Sequence, residues 1–155
     1  MGISQDELER LHDIAKSNGL QLAAESAVSI VRMRGFELPA TFLWFCSHHR
    51  CHNGWPHLPT WQGLFSPMGS PSPLELEDAA RREDTAWPVE LVSFFGTDDG
   101  AYCFSYSNAA EPCVVYVDDF ANPPADGEHV VDADFQAVNW LEWFSSMTQF
   151  CKDRS

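Results

Sequence analysis

An Asp-Gly pair between two runs of strand-forming residues constrains the fold of this chain more than any other feature. Val89 to Phe95 precedes the pair and Ala101 to Tyr106 follows it, and both runs are rich in apolar and aromatic residues. Asp99-Gly100 favours the left-handed backbone of a tight hairpin turn. Cys113 to Val117 and His129 to Val131 predict two further strands. We therefore expect an antiparallel sheet in the second half of the chain.

Helical patterns precede the predicted sheet. Ser4 and Glu7 form a capping-box pattern ahead of apolar residues at helical spacing. Pro39 fits the first turn of another helix. Between these two, the apolar positions predict a helix over Leu20 to Arg34 that Gly35 ends.

Two more helices are predicted beside the strands. Ser72 begins a second capping pattern, and its helix should run to Arg82 with these residues facing inward: Leu74, Leu76 and Ala79 or Ala80. Asp132 or Asp134 should cap a C-terminal helix. The order predicts an α+β fold, in which N-terminal helices and one C-terminal helix pack on a mainly antiparallel sheet. A single domain over residues 1–155 accommodates these elements.

Negative charge is concentrated in the second half of the chain. The formal net charge is −14, and thirteen acids lie between Glu83 and Glu142. The first base after Arg82 is Lys152. Such a surface repels nucleic acid and anionic lipid, whereas it attracts basic proteins and speeds their association. The alternative is that the charge serves only solubility.

The chain shows no sign of export or of membrane insertion. No apolar run has the length needed to span a bilayer, and the acidic N-terminus lacks the apolar segment of a secretory signal. The five cysteines are an odd number, which favours reduced thiols over a disulfide framework. We expect a cytoplasmic protein that binds neither nucleic acid nor membranes. The sequence favours a monomer but leaves the oligomeric state open.

Several local strings, taken in order, resemble the SUKH superfamily, which includes the Smi/Knr-type cell-wall regulators and many bacterial immunity proteins. Phe36-Glu37-Leu38-Pro39 followed by Asn53-Gly54 is similar to that family's helix entered by Leu-Pro and closed by Asn-Gly, although Trp55 stands where the family often has a second Gly. The other strings that carry the resemblance are Phe94 to Gly100, Pro112 to Tyr116, and Val130 to Phe135 with Trp140, Leu141 and Phe144.

The resemblance implies a SUKH-like fold and a binding role without catalysis. Many members of the family are antidotes that occupy a toxin's active site. The chain would then be an immunity protein for a cognate polymorphic toxin in bacterial competition, with a basic, nucleic-acid-acting enzyme as the toxin. The charge favours the same function independently, because an acidic surface can imitate the phosphates that such an enzyme binds. A regulatory or scaffolding module of the same fold is the alternative.

Acidic turns and loop tryptophans are the candidate residues for partner binding. Carboxylates held at rigid strand ends would accept hydrogen bonds from Arg and Lys, and Trp is enriched at interface hot spots. The candidates are Asp98, Asp99, Asp118, Asp119, Asp126, Glu128, Trp55 and Trp61. Asp is also an ordinary turn residue, and the tryptophans, together with Trp87, could instead cover the edge of the core.

Neither a catalytic site nor a cofactor is expected. The sequence contains no nucleophile elbow, P-loop or zinc-hydrolase motif, so we predict that the protein is not an enzyme. The Cys46 to His52 stretch has the composition of a zinc site, which leaves a zinc-binding protein as a further alternative. The simpler interpretation is that His and Arg at a helix C-terminus interact favourably with the helix dipole.

Overall fold

The structure is a computed structural model that describes residues 2–17, 28–48, 61–83, 87–97, 100–106, 111–118 and 130–154. Four helices lie in this part of the chain: α1 (Gln5–Ser17), α2 (Ala40–His48), α3 (Pro73–Arg82) and α4 (Trp140–Arg154). The strands are β1 (Arg32–Met33), β2 (Phe36–Glu37), β3 (Trp61–Leu64), β4 (Leu91–Thr97), β5 (Gly100–Ser105), β6 (Cys113–Asp118) and β7 (Val130–Ala137). They form two antiparallel sheets, which confirms the predicted α+β class.

The larger sheet is a meander in which five strands lie in chain order, from β3 to β7. Each strand pairs antiparallel with its neighbour in the chain. A register shift between Ser93 and Phe95 interrupts the alternation of side chains along β4. Phe94 and Phe95 therefore both enter the same core, as a β-bulge allows.

An aromatic core joins one face of this sheet to α2 and α4. Phe94 and Phe104 stack with their ring centroids 4.3 Å apart, and Phe42 of α2 meets Phe104 edge-on at 5.2 Å. Trp140 and Phe144 of α4 stack at 4.9 Å. All five side chains are fully buried, so this cluster fixes the two helices on the sheet. A smaller apolar cluster contains Trp87, Leu91, Ala101, Cys103, Val115 and Val117.

The predicted helix over Leu20 to Arg34 is wrong in its described portion. Residues 28–31 are not helical, and β1 and β2 form a short antiparallel hairpin. Arg34 has φ 51° and Gly35 has φ 85°, so both residues of the connecting turn adopt the left-handed conformation that two-residue hairpins favour. Gly35 thus closes a hairpin rather than a helix. The remainder of the predicted helix, 20–27, lies outside the described residues.

Asp78 on α3 forms ion pairs with two arginines, although only 1% of its side chain is exposed. Arg34 Nε and Nη2 donate to its two carboxylate oxygens at 3.0 and 3.1 Å, and Arg82 Nε donates at 3.0 Å. The Arg34 guanidinium also donates to the carbonyl oxygens of Val89 and Leu91. Arg34 therefore fastens the β1–β2 hairpin to α3 and to the start of β4.

The inward face of α3 differs from the predicted one. Leu74 is buried as expected, but Leu76 is 57% exposed and Ala79 and Ala80 are also exposed. Asp78 takes the inward position, because Arg34 neutralises its carboxylate there. The predicted capping box at the start of α3 is confirmed: Ser72 Oγ accepts from Glu75 N, and Glu75 Oε1 accepts from Ser72 N.

The C-terminal helix begins later than predicted. Asp132 and Asp134 lie within β7, which pairs with β6, so neither caps the helix. Asn139 has that role, since its Oδ1 accepts from Glu142 N at 2.9 Å. The predicted strand over His129 to Val131 covers only the first two residues of β7, because the pairing of the later residues with β6 is a long-range interaction that no local pattern signals. By contrast, the capping box of Ser4 with Glu7 and the helix after Pro39 are confirmed.

Candidate functional site

Two acidic segments of the sequence, 98–99 and 119–129, connect strands of the larger sheet. The strand ends next to these segments lie at one end of that sheet. Gly100, which starts β5, is the register partner of Asp118, which ends β6. Asp118 in turn pairs with Val130, the first residue of β7. Trp61, the first residue of β3, pairs with Thr97, the last of β4. We call this end, defined by Trp61, Thr97, Gly100, Asp118 and Val130, the acidic sheet end.

Of the eight predicted binding residues, Asp118 is the one whose side chain the structure describes. That side chain is partly exposed. Trp61 is placed by its backbone in β3. The remaining candidates lie outside the described residues: Asp98, Asp99, Asp119, Asp126, Glu128 and Trp55. Five of these six are carboxylates in segments 98–99 and 119–129, which the chain joins directly to the strands of the acidic sheet end.

The backbone at the acidic sheet end is closely packed. A Cβ on Gly100 would lie 2.0 Å from the carbonyl oxygen of Val117, so no other residue fits there without displacing β6. Gly100 N donates to Thr97 Oγ1 at 3.0 Å, and the same oxygen lies 3.0 Å from the hydroxyl of Tyr116. These contacts link β4, β5 and β6 where the strands end. Asp118 therefore projects from a backbone that is held in place, which lowers the entropy lost on binding a partner.

Trp87 belongs to the core rather than to an exposed binding surface. It is 6% exposed, and its Nε1 donates to the Leu91 carbonyl oxygen at 3.2 Å. The guanidinium carbon of Arg81 lies 5.0 Å from the centre of its ring, within cation–π range. The alternative that this tryptophan covers the edge of the core is therefore the one the structure supports.

The described part of the Cys46 to His52 stretch is not arranged as a zinc site. Cys46 is completely buried in the aromatic core. His48 Nδ1 lies 2.9 Å from the Trp44 carbonyl oxygen, and its ring stacks on Trp44 at 4.3 Å. Among the residues that the structure describes, no three His, Cys, Asp or Glu side chains come together as metal ligands. Residues 49–52 lie outside the described residues.

A second candidate site is a groove of about 430 Å³ between the start of α1, the β1–β2 hairpin and the start of α2. We call it the α2 groove. Leu38 and Thr41 are buried residues that line it, while Val31, Glu37 and Glu111 line it and remain exposed. Sequence reasoning did not predict this groove, because its residues come from three separate segments of the chain. No local pattern signals their approach.

The charge of the α2 groove is unbalanced. Glu7, Glu37 and Glu111 contribute three carboxylates, and Arg32 contributes one guanidinium, which leaves a formal excess of two negative charges. Arg32 pairs with Glu37 at 3.1 Å on the surface. Partial burial, together with the negative charge of Glu7, raises the pKa of Glu111. Both effects disfavour the ionised form of the Glu111 carboxylate.

The sequence matches no protein-family model and no curated protein. None of the helices in the described part of the chain is long and apolar enough to cross a bilayer.

Proposed function

We propose that this chain is a binding protein that covers a cationic surface of a partner protein and acts without catalysis of its own. The observation that carries the proposal is the strand register, which brings Asp118 and the ends of both acidic segments to one end of the sheet. Fixed carboxylates there would accept charge-assisted hydrogen bonds from Arg and Lys side chains of the partner.

The class of partner follows from charge. An enzyme that acts on nucleic acid presents a basic surface to the phosphates, and a protein with net charge −14 is attracted to such a surface at long range. Carboxylates at the acidic sheet end would occupy the phosphate positions and exclude the substrate. We propose that the partner is a toxin of this kind and that the chain is its cytoplasmic immunity protein.

The resemblance to the SUKH superfamily supports the same function from the sequence. Its strings include Phe94 to Gly100, a stretch that contains the last residue of β4 and the first residue of β5 at the acidic sheet end. A regulatory or scaffolding role in the same fold would use the surface for a cellular partner instead. The two roles are separated by the identity of the gene beside the one that encodes this chain.

The test is co-purification with the product of the neighbouring gene, followed by calorimetric titration at two salt concentrations. We expect a nanomolar complex. Asp118→Lys combined with Asp119→Lys should weaken it at least a hundredfold, because charge reversal replaces attraction with repulsion at the contact. Raising the salt concentration should weaken the wild-type complex and reduce the difference between the two proteins.

The matched control is Glu9→Lys combined with Asp13→Lys, two exposed positions of α1 that change the net charge equally. This variant should lose far less affinity than the variant at the acidic sheet end. Equal losses in both variants would mean that only the total charge matters, and no loss in either would contradict the electrostatic mechanism.

A further inference from the structure

Side chains of β6 alternate between the two faces of the larger sheet, and this alternation assigns a face to Asp118. Val114 belongs to the aromatic core, and Tyr116 packs against it. Val115 and Val117 belong to the smaller apolar cluster. The pairing of β6 with β5 is regular along the whole strand, so Asp118 lies on the same face as Tyr116. This is the face that carries α2 and α4, and we call it the helix-bearing face.

The side chain of Tyr116 is half-buried and is held at both ends. Its hydroxyl lies 3.0 Å from Thr97 Oγ1, and its ring centre lies 4.9 Å from that of Tyr102. The same hydroxyl lies 3.1 Å from the position of a Cβ on Gly100, so the absence of a side chain there makes room for it. Little conformational entropy is therefore lost when a partner packs on the exposed part of this ring.

Helix α4 runs towards the acidic sheet end. It begins shortly after Ala137, which is the register partner of Val114 in β6. One turn into the helix, Trp143 packs on Tyr102, whose register partner is Tyr116. Between these two points the helix has advanced along two residues of β6, in the direction of the end of that strand.

Phe150 brings an exposed aromatic ring to the same end of the sheet. It lies seven residues after Trp143, so the two share one side of α4 to within about 20°. Seven residues span about 10 Å of helix, whereas Tyr116 and Asp118 are about 7 Å apart along β6. Phe150 is 46% exposed and Trp143 only 3%, as expected if the helix reaches the edge of the surface that covers it.

The negative charge of this surface comes from the strand end and not from the helix. In the last turn of α4, Lys152 and Arg154 outnumber Asp153. A carboxylate offers about four acceptor positions, so that of Asp118 can serve a partner in addition to contacts within the chain. A guanidinium pairs bidentately with a carboxylate and stacks on an aromatic ring, whereas an ammonium is a point charge. Arginine is therefore the basic residue that suits Asp118 beside Tyr116.

We propose that the partner is seated on the helix-bearing face of the acidic sheet end, where one of its arginine side chains lies between Tyr116 and Asp118. The guanidinium donates to the Asp118 carboxylate and stacks on the Tyr116 ring, and an apolar side chain of the partner packs on Phe150. Arginine and tyrosine are enriched among the residues that dominate interface affinity. The inference rests on the proposed binding function and adds to it the face that is used and the residue type that is recognised.

The first experiment uses the chain alone and two probes, N-acetyl-arginine amide and N-acetyl-lysine amide. Each is titrated into ¹⁵N-labelled protein while amide chemical shifts are recorded. We expect the arginine probe to bind about threefold more tightly, with its largest shifts at Thr97, Tyr116 and Asp118. Tyr116→Leu should remove the preference for arginine. Asp118→Asn, at the partly exposed strand end, should weaken the arginine probe without loss of the fold. Equal binding of the two probes, or largest shifts elsewhere, would overturn the proposal.

The second experiment uses the complex with the co-purified partner. Phe150→Ala should weaken the complex about tenfold, because it removes an aromatic contact at the edge of the interface. Val138→Ala is the matched control. Val138 is 74% exposed and follows Ala137, which pairs with the opposite end of β6, so its truncation should leave the affinity unchanged. Equal losses in the two variants would contradict the assignment of the face.

The two experiments separate a failure of this inference from a failure of the proposed function. If no partner co-purifies, the proposed function fails and the two probes still decide the inference. If Asp118→Lys with Asp119→Lys weakens the complex while Phe150→Ala behaves like Val138→Ala, the binding function stands and the helix-bearing face is the wrong one. Self-association of the free chain that Phe150→Ala abolishes would show that a second copy covers this face instead.

Discussion

At the scale of single residues, Asp78 is a charged side chain whose removal should strongly destabilise the fold. Its carboxylate is 1% exposed and compensates Arg34, whose side chain is 16% exposed. Asp78→Ala would leave that guanidinium largely buried without its anion, so we expect a loss of about 3–5 kcal/mol in the free energy of unfolding. Urea denaturation of the purified variant measures it.

Arg82→Ala is the companion variant for this test. Arg82 contacts the same carboxylate, but its own side chain is 48% exposed, so its removal should cost about 1 kcal/mol or less. If the two variants lose similar stability, the buried pair of Arg34 with Asp78 does not fasten the hairpin in the way that its geometry indicates.

Gly100 is a second residue whose substitution should strongly reduce stability. Its replacement by Ala would place a Cβ 2.0 Å from the Val117 carbonyl oxygen, and a backbone atom cannot rotate away. We expect Gly100→Ala to cost about 3 kcal/mol by overpacking, measured as a fall in the denaturation midpoint. Gly2→Ala is the control, because a Cβ at Gly2 has no neighbour within 4 Å.

At the scale of secondary-structure elements, one ion pair links α1 to α4 and should respond to pH. Arg10 donates two hydrogen bonds to Glu142, and these hold the pKa of Glu142 below its ordinary value. Because the folded pKa is lowered, the pair stabilises the protein above the unfolded pKa of Glu142. That contribution disappears as the pH falls through the folded value.

Glu142→Gln should therefore reduce stability at pH 7 and have no effect in strong acid. The loss should stay below about 1 kcal/mol, because the side chains of Arg10 and Glu142 are 43% and 40% exposed. Glu111→Gln should show the opposite sign, since the pKa of Glu111 is raised and its charge disfavours the folded state at pH 7. Chemical denaturation at both pH values distinguishes these outcomes.

The elements that the sequence predicted correctly are those with local causes. Ser72 and Glu75 form their capping box within one turn of helix, and Pro39 precedes α2 by one residue. The β1–β2 hairpin and the full length of β7 escaped prediction, because partner strands decide them. The left-handed Gly35 serves a hairpin turn as well as a helix end, so its conformation alone does not choose between the two.

The candidate sites show the same difference between features with local causes and features that depend on residues far apart in the chain. Asp118 was predicted as a binding residue from a strand followed by acids, a pattern contained in a few consecutive residues, and its binding role stays a prediction. The inward position of Asp78 depends on Arg34, which lies far away in the chain, so α3 was assigned the wrong apolar face. The α2 groove was missed for the same physical reason, because it exists only after Glu7, Thr41 and Glu111 have been brought together by folding.

At the scale of the whole molecule, the fold separates two kinds of surface. The meander gathers the strand ends Thr97, Gly100, Asp118 and Val130 at one end, and the helices with the β1–β2 hairpin form the α2 groove elsewhere. Side chains on both faces of β4 and β5 are buried, so packing on each side of the sheet supports the strands that carry these ends.

Hydrogen exchange on the chain with and without its co-purified partner tests the proposed binding surface most directly. We expect slower amide exchange on complex formation at Thr97 and Gly100, at Asp118, and at Val130, with α3 unchanged. Slowed exchange confined to α3 or to the α2 groove, with these four amides unaffected, would contradict the claim that the acidic sheet end covers the partner.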